Sequence, residues 1–154
     1  MNAEPAVRSH VSNTIERSAL VARPAEAMYA LVADVEAYPR RFNWCQSATV
    51  LERGEQMMKA RLDLQLAGFK TWFVTENTLV PGRSMDMQLA EGPFKKLQGR
   101  WEFKPLSDEA SKVSLLLEFE PASSLLAPVI RLGLQGLADR MVDDFVRTAR
   151  AEAA

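Results

Sequence analysis

"KVSLLLEFEPASSLLAPVIRLGLQGLADRMVDDFVRTAR", residues 112–150, changes its hydrophobic period part-way along. At first Val113, Leu115, Leu117 and Phe119 recur every second residue, the spacing that puts side chains on one face of a strand. Beyond Pro121 the step lengthens. Ile130, Leu134, Leu137, Met141, Phe145 and Ala149 recur at three and four residues, the period of a helix with one apolar side. Asp139, Asp143, Asp144, Arg147 and Arg150 largely take the other side, so the Asp143–Asp144 pair reads as solvated surface. The first half, "SSLLAPVIRLGLQGLA", carries one charge and is apolar nearly all round, thinned by Gly133 and Gly136. Such a surface is enclosed, lines a cavity mouth, or touches a lipid or partner.

Strand periodicity extends upstream. "KKLQGRWEFKPL" presents Leu97, Trp101 and Phe103, with Gly99 as a candidate bulge. "SMDMQLAEG" presents Met85, Met87 and Leu89, and "FKTWFVTENTLV" ends at the Pro81-Gly82 turn signal. "MMKARLDLQLAG" alternates Ala60, Leu62, Leu64 and Leu66 with Arg61, Asp63 and Gln65, and "SATVLERG" turns at Gly54. Consecutive strands joined by short turns favour an antiparallel meander.

Before them, "RPAEAMYALVADVEAYP" reads as a helix. Pro24 and Glu26 suit its first turn, and Ala27, Met28, Leu31, Val32 and Val35 form its stripe. Tyr38 precedes Pro39, a position biased away from helical angles, which predicts a stop there. Two short helices broken near Asp34 fit equally well. "TIERSALVA" supplies a first strand.

Residues 1–13 read as a polar leader, 14–150 as a single domain and 151–154 as a tail. Strands followed by a helix define an α+β protein, here a curved seven-stranded antiparallel sheet around a long C-terminal helix. So wide a sheet exceeds what one helix covers, and its twist predicts an apolar hollow between them.

Composition narrows the function classes. Of 154 residues, 47% are hydrophobic, and 19 basic residues nearly balance 20 acidic ones. A net charge of -1 creates no global field toward nucleic acid or anionic lipid. The one cysteine excludes an internal disulfide and fits a reducing compartment. Neither a secretory core nor a membrane-spanning run is visible, so the expected location is the cytoplasm. The sole histidine, His10, lies in the leader, which leaves no His-based triad or common zinc site. "GPFKKLQG" lacks the features of a phosphate loop. Cys45 stands beside Trp44 with no base in view; it reads as a small hydrophobe at a helix–strand seam rather than a nucleophile, despite Arg40 and Arg41 nearby. Glu118 and Glu120 alternate with apolar residues and should face water.

Three segments, "DVEAYPRRFNWC", "EGPFKKLQGRWEFKPL" and "VSLLLEFEPASSLL" running into a helix that ends "MVDDFVRTAR", together resemble the coenzyme Q-binding Coq10/RatA family. With the matching order of elements, the resemblance covers Thr14 to about Arg150. The resemblance implies the START-like helix-grip fold, with a hydrophobic tunnel for ubiquinone or another polyprenyl lipid. It also implies relatives of two further kinds: bacterial ribosome-associating toxins that block subunit joining, and polyketide cyclases or dehydratases. The chain departs from the family pattern at Arg41 and Asn43, with Phe42 displaced by one position.

On this basis the expected function is non-enzymatic binding of ubiquinone or a similar lipid, with no cofactor and no metal. The ligand-binding wall expected from the sheet is Trp72, Phe73, Met85, Met87, Phe94, Leu97, Trp101 and Phe103. Leu126, Ile130, Leu134 and Leu137 are expected from the helix. Transient contact with the surface of the inner membrane would accompany a lipid cargo. A ribosome-binding alternative, with the large subunit as partner, needs a basic cluster, for which Arg40, Arg41, Lys95, Lys96 and Arg100 are candidates. A cyclase needs an ionisable group inside the tunnel, and Tyr29 and Tyr38 lie in the helical region instead.

Overall fold

The computed structural model describes residues 13–153. The expected leader, His10 included, lies outside these residues except for Asn13, which opens the first strand. That strand, β1 (Asn13–Val21), leads into α1 (Ala25–Ala33), a 3₁₀ turn (Val35–Ala37) and α2 (Tyr38–Arg41). Six strands follow: β2 (Cys45–Arg53), β3 (Met57–Leu66), β4 (Phe69–Val80), β5 (Ser84–Glu91), β6 (Phe94–Ser107) and β7 (Ala110–Pro121). Helix α3 (Ala127–Ala153) follows, so residues 151–153 of the expected tail extend the helix instead, and residue 154 lies outside the described residues.

All strands belong to one antiparallel sheet in the order β1-β7-β6-β5-β4-β3-β2. Strands β2 to β7 form the expected meander, and β1 is laid along β7 with Asn13 opposite Phe119 and Val21 opposite Ser111. The segment from α1 to α2 therefore links the two outer edges of the sheet. Helix α3 packs on the inner face, touching β1, β7, β3 and α1. This is the helix-grip arrangement.

The first helical region breaks at Asp34, whose backbone (φ -82°, ψ 65°) leaves the helix while its N–H still donates to the Ala30 carbonyl. The stop expected at Tyr38 does not occur. Tyr38 is helical (φ -54°, ψ -47°) and Pro39 sits in the first turn of α2, where a missing N–H breaks no bond. Tertiary contacts outweigh the pre-proline bias: Tyr38 is buried, its hydroxyl donates to the Val32 carbonyl, and its ring meets Phe42, Trp44 and Phe145.

Gly99 is not a bulge. It pairs in regular register with Met87 and Leu117, and the irregularities of β6 fall at Phe94/Lys96 and Pro105/Ser107. The tight turn joining β3 to β4 places both central residues at positive φ, Ala67 at 51° and Gly68 at 87°. Alanine pays steric strain there that glycine does not. Ala67→Gly is expected to leave urea-unfolding stability unchanged or raise it by up to about 1 kcal/mol; a clear loss would mean that the Ala67 methyl makes packing contacts that outweigh the strain.

The Phe69 ring, just past this turn, lies directly on the α3 backbone at Gly133. A Cβ there would stand 2.3 Å from the ring. Glycine at 133 is thus the seat that lets the β3–β4 turn dock on the helix.

Candidate functional site

Between the inner face of the sheet and α3 lies a cavity of about 50 Å³, partly open to solvent. The interior part alone is well below the roughly 300–1,000 Å³ of pockets that hold a whole drug-sized ligand. Alternation builds its floor: Leu62 and Leu64 from β3, Phe73 from β4, Met87 from β5, and Leu97 and Trp101 from β6 all point inward. Leu134, Leu137, Ala138 and Met141 of α3 form the roof.

Gly99 serves this space. A Cβ on it would meet the Met87 Cε at 2.7 Å and the Leu117 Cδ2 at 2.8 Å, so both side chains lean over the bare backbone and partly fill the hollow. Methionine's unbranched chain can swing away at little cost, which makes this the pliable part of the wall.

Of the residues expected in the wall, Phe73, Met85, Met87, Leu97, Trp101, Leu134 and Leu137 line the cavity. The other five do not. Trp72 lies on the opposite face of β4, with the Arg61 guanidinium 4.3 Å from its ring centroid, because consecutive strand residues point to opposite sides. Phe94 is buried at the start of β6, away from the cavity. Phe103 is buried further along β6, stacked on Trp101 and met edge-on by Tyr29 at 5.8 Å. Leu126 precedes α3 and is 52% exposed, while Ile130 packs at the rim of the core. Leu125, Val129 and Leu132 are also exposed, so the apolar start of the helix is largely uncovered in this chain.

Sequence reasoning missed several lining residues. Ala60, Leu62 and Leu64 were visible as one face of β3. Thr75 and Asn77, 5% and 4% exposed, were not chosen because they are polar, yet they sit two and four residues from Phe73 on the same face. Tyr38, placed outside a tunnel by the sequence, lines the cavity.

Among the described residues the lining contains no Asp, Glu, Lys, Arg, His or Cys. Its one titratable side chain, Tyr38, is held far above the ordinary tyrosine range, first by burial and then by the nearby Cys45 and Asp34, and its proton is committed to Val32. No acid–base pair is assembled here. Among the described residues no cluster suited to a metal ion occurs, and no helix is long and apolar enough to cross a membrane.

One end of the cavity abuts an aromatic cluster. Phe42 stacks on Trp44 at 4.9 Å, and Phe145 meets both rings edge-on. The Trp44 indole N–H donates to Asp144 Oδ2 at 2.9 Å, and Arg147 donates to the other oxygen. Asp144 is therefore a buried clamp on the loop before β2, not solvated surface as the sequence implied.

Cys45 is buried beside this cluster at the start of β2, with its thiol 3.4 Å from the Ser47 carbonyl. Burial, reinforced by the Asp63 carboxylate, pushes its pKa up to about 11. It is a seam residue. Alkylation by iodoacetamide at pH 8 is expected to be roughly two orders of magnitude slower than for free cysteine on ionisation grounds alone; a rate matching free cysteine would show an open, activated thiol.

Three of the five basic candidates have acidic partners, and among the described residues Arg40 and Lys96 have none within 4.0 Å. Arg41 lies within 3.7 Å of Asp34 and 3.8 Å of Glu152, Lys95 within 4.0 Å of Glu120, and Arg100 within 2.8 Å of Asp86.

This architecture defines a class: the chain belongs to the polyketide cyclase / dehydrase and lipid transport family, whose model matches residues 21–146. The solved aromatase/cyclase Zhui from a Streptomyces species superimposes with a TM-score of 0.86 over 93% of this chain and 96% of that one, at 18% identity, a likeness of fold. Within the class, the chain groups with the RatA proteins. It is 40% identical over 140 residues to the ribosome association toxin RatA of Pseudomonas aeruginosa, covering 91% of this chain and 97% of that protein. The RatA of Vibrio cholerae is 43% identical over 136 residues, 88% of this chain and 94% of the relative.

Proposed function

We propose that this protein is a non-catalytic RatA-type binder that takes an apolar ligand, ubiquinone or another polyprenyl lipid, between its sheet and α3. The observation that carries this reading is the cavity itself: an almost wholly apolar lining with no acid or base free to act. Each methylene moved from water into such a lining gains about 0.8 kcal/mol, so one isoprenoid unit contributes roughly 3 kcal/mol before ordering costs. The closed interior accepts only part of such a chain; Met87 swinging off Gly99 and the open mouth supply the remainder. Organic extracts of protein purified from its own host, read by mass spectrometry, should contain a stoichiometric lipid. Short-chain ubiquinone should also bind in titration. Lipid-free preparations that also ignore the quinone would end this reading.

A second reading, association with the large ribosomal subunit, is favoured by RatA-named relatives that align over nearly the whole chain. Exposed pairs such as Lys95–Glu120 are weak, and Arg40 and Lys96 have no acidic partner among the described residues, so these cations remain available to phosphate. Co-sedimentation with large subunits supports it, and a protein left wholly in the supernatant removes it.

A further inference from the structure

We infer that Thr75 and Asn77 form a polar anchor in the cavity floor that recognises a neutral hydrogen-bond acceptor, a carbonyl or ether oxygen, on an otherwise apolar ligand. This deepens the apolar-ligand reading and rests on it. Both residues lie on β4, point inward with Phe73, and are more than nine-tenths buried. The Thr75 hydroxyl donates to Asn77 Oδ1 at 2.8 Å. That bond fixes the amide: its oxygen faces threonine, and its NH₂ group becomes the free end.

Among the described residues the Asn77 Nδ2 donates no hydrogen bond to the protein and is not one of the fully sealed polar atoms, so it borders the open space of the cavity. Its cross-strand neighbours on either side, Met58 and Met87, offer only thioethers and methylenes. Backbone carbonyls of an interior strand are occupied by the ladder. An amide N–H that faces the cavity can be met by water in the free protein, and a ligand that displaces this water must supply an acceptor in its place. An acceptor arriving with the ligand completes the set.

The charge of that acceptor is also set. No lysine, arginine or histidine lines the cavity, so a carboxylate or phosphate would be buried without a counter-charge. A neutral carbonyl or ether meets the amide at no such cost. The anchor thus discriminates between apolar molecules of equal size by whether they carry one such oxygen at the right depth.

The test compares decylubiquinone with decylbenzene, which shares the tail but lacks the oxygens, by displacement of the neutral fluorophore phenylnaphthylamine. The wild-type protein should prefer the quinone by roughly tenfold. Asn77→Leu should remove that preference, bringing the two affinities together, and Thr75→Val should reduce it by freeing the amide to turn. In the wild-type protein, which avoids any question of mutant folding, the Asn77 side-chain amide NMR signals should shift with the quinone and not with decylbenzene. Equal wild-type affinities, or a preference that survives Asn77→Leu, would overturn the anchor while leaving the apolar-ligand reading intact. Binding of neither probe would remove both.

Discussion

Phe145→Ala should unfold this protein more readily than any other single truncation in α3, with a loss of about 3–5 kcal/mol. Phe145 is fully buried, and its ring centroid lies 5.4 Å from Tyr38, 5.0 Å from Phe42, 6.1 Å from Trp44 and 5.4 Å from Trp101. Its ring touches both the loop before β2 and the sheet floor. Removing it leaves a hole bounded by rigid rings that cannot collapse inward, which is the expensive kind of cavity. For a domain of this length the melting temperature should fall by roughly 6–20 °C. Phe145→Leu should fall between the alanine variant and the wild type. A loss below about 1 kcal/mol in urea unfolding would show that the cluster repacks and that α3 is gripped elsewhere.

The second large effect is on binding. Gly99→Val places a branched side chain where the Met87 and Leu117 tips now rest, 2.7 and 2.8 Å from the new Cβ. Valine suits a strand, so the cost in stability is confined to overpacking, about 1–3 kcal/mol. The hollow, in contrast, loses its pliable wall. Short-chain ubiquinone should bind at least roughly tenfold more weakly, since two or more methylene-sized volumes are denied to it. A folded Gly99→Val protein that binds as the wild type does would place the ligand outside this cavity. Large-subunit co-sedimentation run beside it tells whether a filled interior matters to that contact as well.

The periods that distinguish strand from helix made the sheet, the helix and their order legible in the sequence. Met85, Met87, Leu97 and Trp101 were found because their strands alternate cleanly between apolar and polar positions. Strand β4 defeated that criterion. Trp72 and Phe73 are adjacent aromatics, and only the second faces inward; the inward positions that follow are Thr75 and Asn77, polar residues that a search for grease passes over. Asp144 was misread for a similar reason. It stands three residues after Met141 and seven after Leu137, on the apolar stripe itself, but its partner Trp44 is 100 residues away and no local pattern reveals it. Leu126 and Ile130 continue the stripe beyond the point where the sheet reaches, so period alone overextended the wall. The reading of Cys45 as a seam required only the absence of an activating neighbour, and burial at the start of β2 agrees with it.

The pairing of β1 with β7 has a consequence for how the chain is made. Asn13 finds its partner at Phe119, so β1 waits for β7, the last strand of the sheet, before its edge is satisfied. Until then it presents open backbone groups, and the concave apolar face stays bare until α3 has also emerged. Contacts this distant in sequence close late and slowly. The inner face of the sheet is thus sealed only once α3 has been made, and a chain halted before that point carries exposed apolar surface prone to aggregation.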